Sequence, residues 1–354
     1  MPCKEMASAP LIRFEGVFPI LADDIKKQCI EQYGLPVRVW KWFEKSLGHN
    51  ALGGKCNRGL SVVDTARLLL GRDLTPDEYF HTAALGWMVE LLQAMMLVLD
   101  DIMDASSMRR SRPCWYLVPD VGMIAVNDAP MLESAIYLLL KKHFRTHPAY
   151  VEMLELFHEV SFRIELGQTY DMLVAPQDTV AVNFEAFNQA TYNHIVAYKT
   201  AYYSFHLPVA LAMLYCGCAS SRNLEQAERI LVTMGTYFQV QDDYLDNFAD
   251  PTVLGKVGTD IVDGKCSWLA VQALQRCNAE QRLVLGENYG RKEDGHERKI
   301  KALYDELKLE EVYLQYEDAK VAEIRQMIGE VDESEGLKKS VFTEFLSKIY
   351  KRTK

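Results

Sequence analysis

The chain has no CxxC pair, no signal-peptide core, no low-complexity tract and no convincing alternating strand, and each absence removes a class of protein. Its eight cysteines are scattered over 354 residues, which excludes a disulfide framework, and Cys216 and Cys218 stand too close for the usual zinc knuckle. Buried reduced thiols in a reducing compartment are the expectation. Residues 1–21 interrupt their apolar positions with Lys4, Glu5, Arg13 and Glu15, so no hydrophobic leader core is present. No run approaches the roughly 20 apolar residues of a membrane span. The last residues, Tyr350-Lys351-Arg352-Thr353-Lys354, offer no prenylation box. A cytoplasmic protein without a membrane span is expected.

The net charge of -10 argues against a nucleic-acid partner, but it leaves anionic substrates open because metal ions and local Lys and Arg groups invert the sign at a site. With 49% hydrophobic and 25% charged residues the chain can bury a sizeable core. Nothing in the middle resembles a linker. One domain over 1–354 is expected, with residues 1–20 a loosely ordered N-terminal segment.

Helical periodicity dominates. Thr75-Pro76-Asp77-Glu78 supplies a cap and a first-turn proline to a helix reaching about Ala105. Further helical patterns fall near 22–46, 123–145, 150–173, 184–217, 223–248, 262–276, 294–308, 310–330 and 337–351, and the polar stretch 286–301 reads as a mobile surface loop.

Within this pattern two clusters carry chemistry. Asp100-Asp101-Ile102-Met103-Asp104 ends the buried stripe Leu85, Met88, Val89, Leu92, Met95, Met96, Leu99, and Asp242-Asp243-Tyr244-Leu245-Asp246 follows Met234, Tyr237, Phe238 and Val240. Aspartates four apart share a helix face. Two such faces opposed across a cavity gather more carboxylate than a fold tolerates unpaired. Magnesium relieves that repulsion, taking one or two carboxylates and filling its other positions with water and phosphate. The cationic run Arg109-Arg110-Ser111-Arg112 lies within reach of an anion held there.

These residues resemble the trans-isoprenyl diphosphate synthases, most closely the animal farnesyl diphosphate synthases. The resemblance runs from about Gly53 to the C-terminus through five ordered motifs: Gly53-Gly54-Lys55-Cys56-Asn57-Arg58-Gly59; Asp100 through Arg110 with Pro113-Cys114-Trp115; Ala197-Tyr198-Lys199-Thr200-Ala201; Phe238-Gln239-Val240-Gln241-Asp242-Asp243-Tyr244-Leu245-Asp246; and Gly255-Lys256-Val257-Gly258-Thr259-Asp260. It implies an all-α bundle around a deep central cavity, a homodimer, and head-to-tail condensation of dimethylallyl or geranyl diphosphate with isopentenyl diphosphate to give farnesyl diphosphate.

By the same resemblance Asp100, Asp104 and Asp242 would ligate three magnesium ions, for which manganese can substitute, with Asp101, Asp243 and Asp246 acting through water or neighbouring ligands. Arg109, Lys199, Lys256 and Lys265 would clamp the allylic diphosphate. Lys55, Arg58, Arg110 and Gln93 would hold isopentenyl diphosphate, a task suited to the arginine fork. The Thr200 hydroxyl, the Gln239 amide oxygen and the Lys199 carbonyl would face the allylic cation. Tyr203 and Phe238 would cover the second substrate.

A terpene synthase, a lyase using the same ionisation, is the chief alternative, with geranyl diphosphate synthase a second and a non-catalytic scaffold a third. Lys55, Arg58, Gln93 and Arg110 speak for condensation, since a lyase has no use for them. One departure bears on product length: animal farnesyl synthases carry two phenylalanines where this chain has Met95-Met96. These methionines, with Leu99 next in line, are expected to floor the chain pocket more softly than phenyl rings, giving mainly farnesyl and some geranyl diphosphate.

Overall fold

The computed structural model describes residues 8–175, 182–249 and 258–351, and the chain is all-α as expected. Among those residues the only strands are Met108–Arg109 and Arg112–Pro113, paired antiparallel as one tight hairpin. The chain divides into two compact units. The first takes the described parts of 1–161, 207–224 and 335–337; the second takes those of 162–206, 225–334 and 338–354.

The axis of the first unit is the helix Pro76–Met103, about 42 Å long at 1.5 Å per residue. It starts where the sequence says. Thr75 accepts from the Glu78 N–H while the Glu78 side chain accepts from the Thr75 N–H, a reciprocal cap with Pro76 at the first position. Every residue from Thr82 to Leu92 is buried, so this helix is covered on all sides rather than along one stripe. Asn57–Leu70 and Ala125–Phe144 pack on it. The first of these crossings needs two glycines: a Cβ on Gly86 would stand 2.4 Å from the Gly59 carbonyl oxygen.

Residues 8–20 differ from the loosely ordered segment expected over 1–20, of which 1–7 lie outside the described residues. From Ala9 the chain is helical, Phe14 is fully buried, and its ring stacks on Trp87 at 4.8 Å while the Trp87 indole N–H donates to the Phe14 carbonyl. An aromatic partner 73 positions away orders a segment whose own sequence is unremarkable. The pattern over 22–46 is also broken, into Phe18–Lys27, a π-turn Gln28–Gln32 and Val37–Asn50, because Gly34 and Pro36 interrupt it. Two helices, Pro76–Met103 and Gly122–Phe144, do prove long and apolar enough to cross a bilayer. In the first, 83% of the most apolar stretch is buried inside the protein, which marks a core helix.

The second unit gathers its core around Tyr192, Trp268, Tyr289 and Tyr304. The run expected over 184–217 is helical but not uniform: Gln189–Val196 and Leu207–Cys216 flank a π-helical stretch, Ala197–His206. Two glycines press against that wider coil. A Cβ on Gly167 would meet the Lys199 nitrogen at 2.3 Å, and one on Gly235 would meet the Ala201 Cβ at 2.4 Å. The helix expected from 262 starts at Trp268, after the Ser267 cap. The helix expected over 294–308 is His296–Glu306, with Ile300 buried, and together with Ala279–Asn288 it takes up most of the loop expected over 286–301.

Candidate active site

In the first unit the aspartate motif occupies the last turn of Pro76–Met103 and its cap. Asp101 is buried and takes both Nε and Nη2 of Arg109, at 3.1 and 2.6 Å, while Asp100 and Asp104 remain half-exposed. Burial disfavours the Arg109 charge, yet Asp101 and Asp100 outweigh it and leave the guanidinium more firmly protonated than usual. Arg109 therefore answers the inner carboxylate, and the outer two keep the accessible edge of the motif.

The hairpin after the motif turns at Arg110 and Ser111, with φ of 53° and 59°. A turn of this hand is normally Asn-Gly, and each left-handed non-glycine residue costs roughly 1–2 kcal/mol. The strain aims Arg110 back over the glycine loop: its Nη1 donates to the carbonyls of Asn50 and Leu52 at 3.0 and 3.2 Å, and a Cβ on Gly54 would lie 2.9 Å from the guanidinium carbon. Burial lowers the Arg110 pKa. A cleft lined by Arg109, Arg110, Arg112, Asp101 and His49 lies beside it.

Arg58 and Gln93 meet through a residue that the sequence reading missed. Glu90 is almost wholly buried, accepts from the Gly59 N–H at 2.8 Å, and lies 3.3 Å from the Gln93 amide, whose other end is 3.2 Å from Arg58 Nη1. The amide orientation that donates to Glu90 and accepts from Arg58 satisfies both contacts. Burial raises the Glu90 pKa against the pull of the Gly59 N–H and of the Arg58 and Arg110 charges. Lys55, three residues before Arg58, is exposed. Met95 and Met96 are buried at 2% and 8% exposure, and Leu99 is half-buried.

In the second unit the inner aspartate is held differently. Asp243 is buried and accepts from the Tyr192 hydroxyl at 2.8 Å, the Trp268 N–H at 2.7 Å and Gln239 Nε2 at 2.9 Å. Among the described residues no cation joins these three donors, and burial raises the Asp243 pKa. Gln239 thus spends its N–H on Asp243 and keeps its amide oxygen for another partner. Asp242 and Asp246 are half-exposed, and the Asp260 N–H donates to Asp246.

Lys199 and Lys265 converge on a second missed residue, Asp171, at 2.7 and 3.3 Å. Although burial works against it, the two lysine charges hold the Asp171 pKa below the usual carboxylate value. Thr200 lies beside Lys199 on the π-helical stretch, an irregularity frequent at functional sites. Lys256 falls outside the described residues. The signal for Asp171 is Gly167-Gln168-Thr169-Tyr170-Asp171, where Gly167 admits the Lys199 backbone one turn before the carboxylate.

The outer carboxylates suit a hard cation. Their donors are all oxygen, each outer pair spans one helical turn, and the inner aspartates are already engaged. Among the described residues no three His, Cys, Asp or Glu side chains come together to hold an ion by themselves. Magnesium fits such a donor set, since it takes one or two carboxylates and completes its shell with water and phosphate.

The polyprenyl synthetase family model matches residues 40–307. A farnesyl pyrophosphate synthase of Penicillium aethiopicum is 59% identical over 345 residues, covering 97% of this chain and 98% of that protein, and one of Schizosaccharomyces pombe is 54% identical over 342 residues with the same coverage. The structure of T. brucei farnesyl diphosphate synthase complexed with the bisphosphonate BPH-722 superposes with a TM-score of 0.90 at 33% identity, covering 98% of this chain and all of that one. The likeness at high identity is thus fungal rather than animal. Matched by the family model over most of its length and by such relatives nearly end to end, this chain belongs to the polyprenyl synthetase family.

Proposed function

We infer that the chain is a prenyltransferase that condenses dimethylallyl and geranyl diphosphates with isopentenyl diphosphate, head to tail, to make farnesyl diphosphate. The observation that carries this reading is the group of Arg58, Gln93 and Arg110, braced by Glu90 and the Gly53-Gly54 loop. A second diphosphate needs such a group; a lyase does not.

In this reading Asp100, Asp104 and Asp242 hold three magnesium ions, or manganese in their place, and Asp101, Asp243 and Asp246 support them. Bound magnesium would supply charge neutralisation for the departing diphosphate. The chain's own groups do the rest. Arg109, Lys199, Lys256 and Lys265 bind the allylic diphosphate, and Asp171 spaces Lys199 and Lys265 so that their charges point together. The Thr200 hydroxyl, Gln239 Oε1 and the Lys199 carbonyl oppose the developing allylic charge. Lys55, Arg58, Arg110 and Gln93 orient the isopentenyl alkene toward that carbon, and Tyr203 and Phe238 help exclude water that would give an alcohol. The departed diphosphate takes the final proton, consistent with no His or Glu standing out as base.

We propose further that the two units work as one catalytic domain and that the enzyme is a homodimer in the cytoplasm. Phe162, Leu166, Tyr170 and Leu173 form an exposed apolar stripe on one helix, at 61, 46, 38 and 74% exposure, which suits burial against a second copy. The seven described cysteines are all free, which suits a reducing compartment. The test is incubation of the purified protein with magnesium and geranyl diphosphate, with and without isopentenyl diphosphate. Farnesyl diphosphate formed only with both substrates supports the reading; hydrocarbon from geranyl diphosphate alone identifies a lyase.

A further inference from the structure

The second aspartate motif sits on the helix Ser221–Phe248, and the face of that helix opposite the motif is tied to a buried carboxylate. Glu317, on Leu309–Gly329, is 4% exposed. Its Oε1 accepts from the Tyr237 hydroxyl at 2.7 Å, from the Tyr313 hydroxyl at 2.8 Å and, at the limit of hydrogen bonding, from Gln241 Nε2 at 3.5 Å. Gln241 also donates to the Tyr237 hydroxyl at 3.3 Å. Tyr313 stacks on Tyr244 with centroids 3.8 Å apart and planes 6° apart, and its ring meets Trp268 edge-on at 6.2 Å. The Trp268 N–H is one of the three donors on Asp243.

Tyr237, Gln241 and Tyr244 recur at i, i+4 and i+7 and so share one face of the helix. At 3.6 residues per turn, Asp242 and Asp246 lie roughly 140–180° around from Tyr237, on the far side. The bonds to Glu317 therefore fix the rotation of the helix about its axis. With side-chain atoms about 5 Å from that axis, a turn of roughly 20° would carry the aspartate oxygens about 2 Å. Magnesium holds its ligands in near-ideal octahedral geometry at about 2.0–2.1 Å and does not absorb such a shift.

We infer that Glu317 is a positioning residue for the second aspartate motif: through Tyr237, Gln241 and the Tyr313–Tyr244 stack it sets the rotation at which Asp242 and Asp246 meet magnesium diphosphate. The inference rests on the prenyltransferase reading for its consequence in catalysis.

The experiment compares full-length wild type with Glu317→Leu, which removes the acceptor, and Glu317→Gln, which keeps an acceptor oxygen and the volume. Three readouts separate positioning from plain stability: turnover against magnesium concentration, the KM for isopentenyl diphosphate, and calorimetric binding of magnesium with inorganic diphosphate. Glu317→Leu should weaken magnesium diphosphate binding and raise the magnesium requirement about tenfold, with isopentenyl KM changed by less than about twofold, the range seen when support behind metal ligands is removed. Glu317→Gln should recover most of the loss. A Glu317→Leu protein that melts earlier but binds magnesium diphosphate as wild type does would overturn the inference. Should that variant fail to fold, Tyr237→Phe and Tyr313→Phe each delete one hydrogen bond while keeping the ring; unchanged binding in both would also overturn it. A wild type that makes no farnesyl diphosphate refutes the functional reading instead, and the calorimetric comparison still decides the role of Glu317.

Discussion

The two aspartate motifs read almost alike, Asp-Asp-Ile-Met-Asp and Asp-Asp-Tyr-Leu-Asp, yet the protein treats their inner carboxylates in opposite ways. Asp101 is answered by a full charge, the half-exposed Arg109, whereas Asp243 is answered by a tyrosine hydroxyl, a backbone N–H and an amide in a site closed to water. A charged partner leaves the first motif adjustable, because Arg109 can also turn toward an incoming anion. Neutral donors hold the inner aspartate of the second motif in place. One motif is built to move with its ligand and the other to stay fixed.

The sharpest test asks whether both outer faces do the same work despite these different supports. Asp100→Ala and Asp242→Ala should each lower turnover about a thousandfold or more with circular dichroism unchanged, since each loses part of the leaving-group neutralisation. Excess EDTA should abolish activity in wild type. A mild effect at either position would confine metal binding to the other motif.

Asp171 shows whether the contrast follows the unit or the chemistry of the partner, because it is a charge-paired carboxylate within the second unit. Asp171→Asn leaves Lys199 and Lys265 facing each other and should cost about 3 kcal/mol at neutral pH, as removal of one member of a buried ion pair does. The Asp171 pKa is depressed on folding, so its stabilisation is present above the unfolded carboxylate pKa of about 3.9 and is lost as pH falls through the lower folded value. Chemical denaturation should show the gap between wild type and variant constant near neutrality and closing below about pH 4. A gap that widens on acidification would contradict the pairing. The inner aspartates themselves should differ by less. Asp243→Ala strands three donors in a closed site and should cost about 2–3 kcal/mol, whereas Asp101→Ala frees an arginine that is 39% exposed and should cost about 1 kcal/mol. Equal losses in thermal melts would dissolve the contrast.

What the sequence made legible follows from distance along the chain. The capped helix carrying Asp100, the i,i+4 aspartates and the Gly53-Gly54 loop are local patterns, and each stands where it was expected apart from a residue or two at the ends. The residues missed are those whose partners lie far away. Glu90 acts on Gly59 31 positions back, Asp171 on Lys265 94 positions ahead, and Phe14 on Trp87 73 positions ahead. No periodicity records such pairs. Gly59 and Gly86 were visible as letters, but only the crossing of their helices shows why a methyl group is excluded there. The helix Ala279–Asn288 escaped because its buried positions are few and stand among charges.

The smallest expected effect concerns the length of the product, where the first motif's adjustable character meets the softness of Met95 and Met96. Both side chains are shielded from solvent, at 2% and 8% exposure, one helical turn before Asp100. A chain anchored by its diphosphate at the aspartates extends along this stretch, Met96 lying about 6 Å from Asp100 along the axis. Thioethers with three rotatable bonds yield where phenyl rings would not. We expect wild type to release mainly farnesyl diphosphate with a minor geranyl fraction. Met95→Ala combined with Met96→Ala should lengthen products to about twenty carbons, because two shortened side chains open roughly the length of one more isoprene unit, at some cost in stability. Met96→Trp should shorten them toward about ten carbons by filling the same space. Product chromatography after dephosphorylation checks both arms. If neither substitution moves the distribution, the floor lies elsewhere, and Leu99, half-buried beside Asp100, is the next side chain to change.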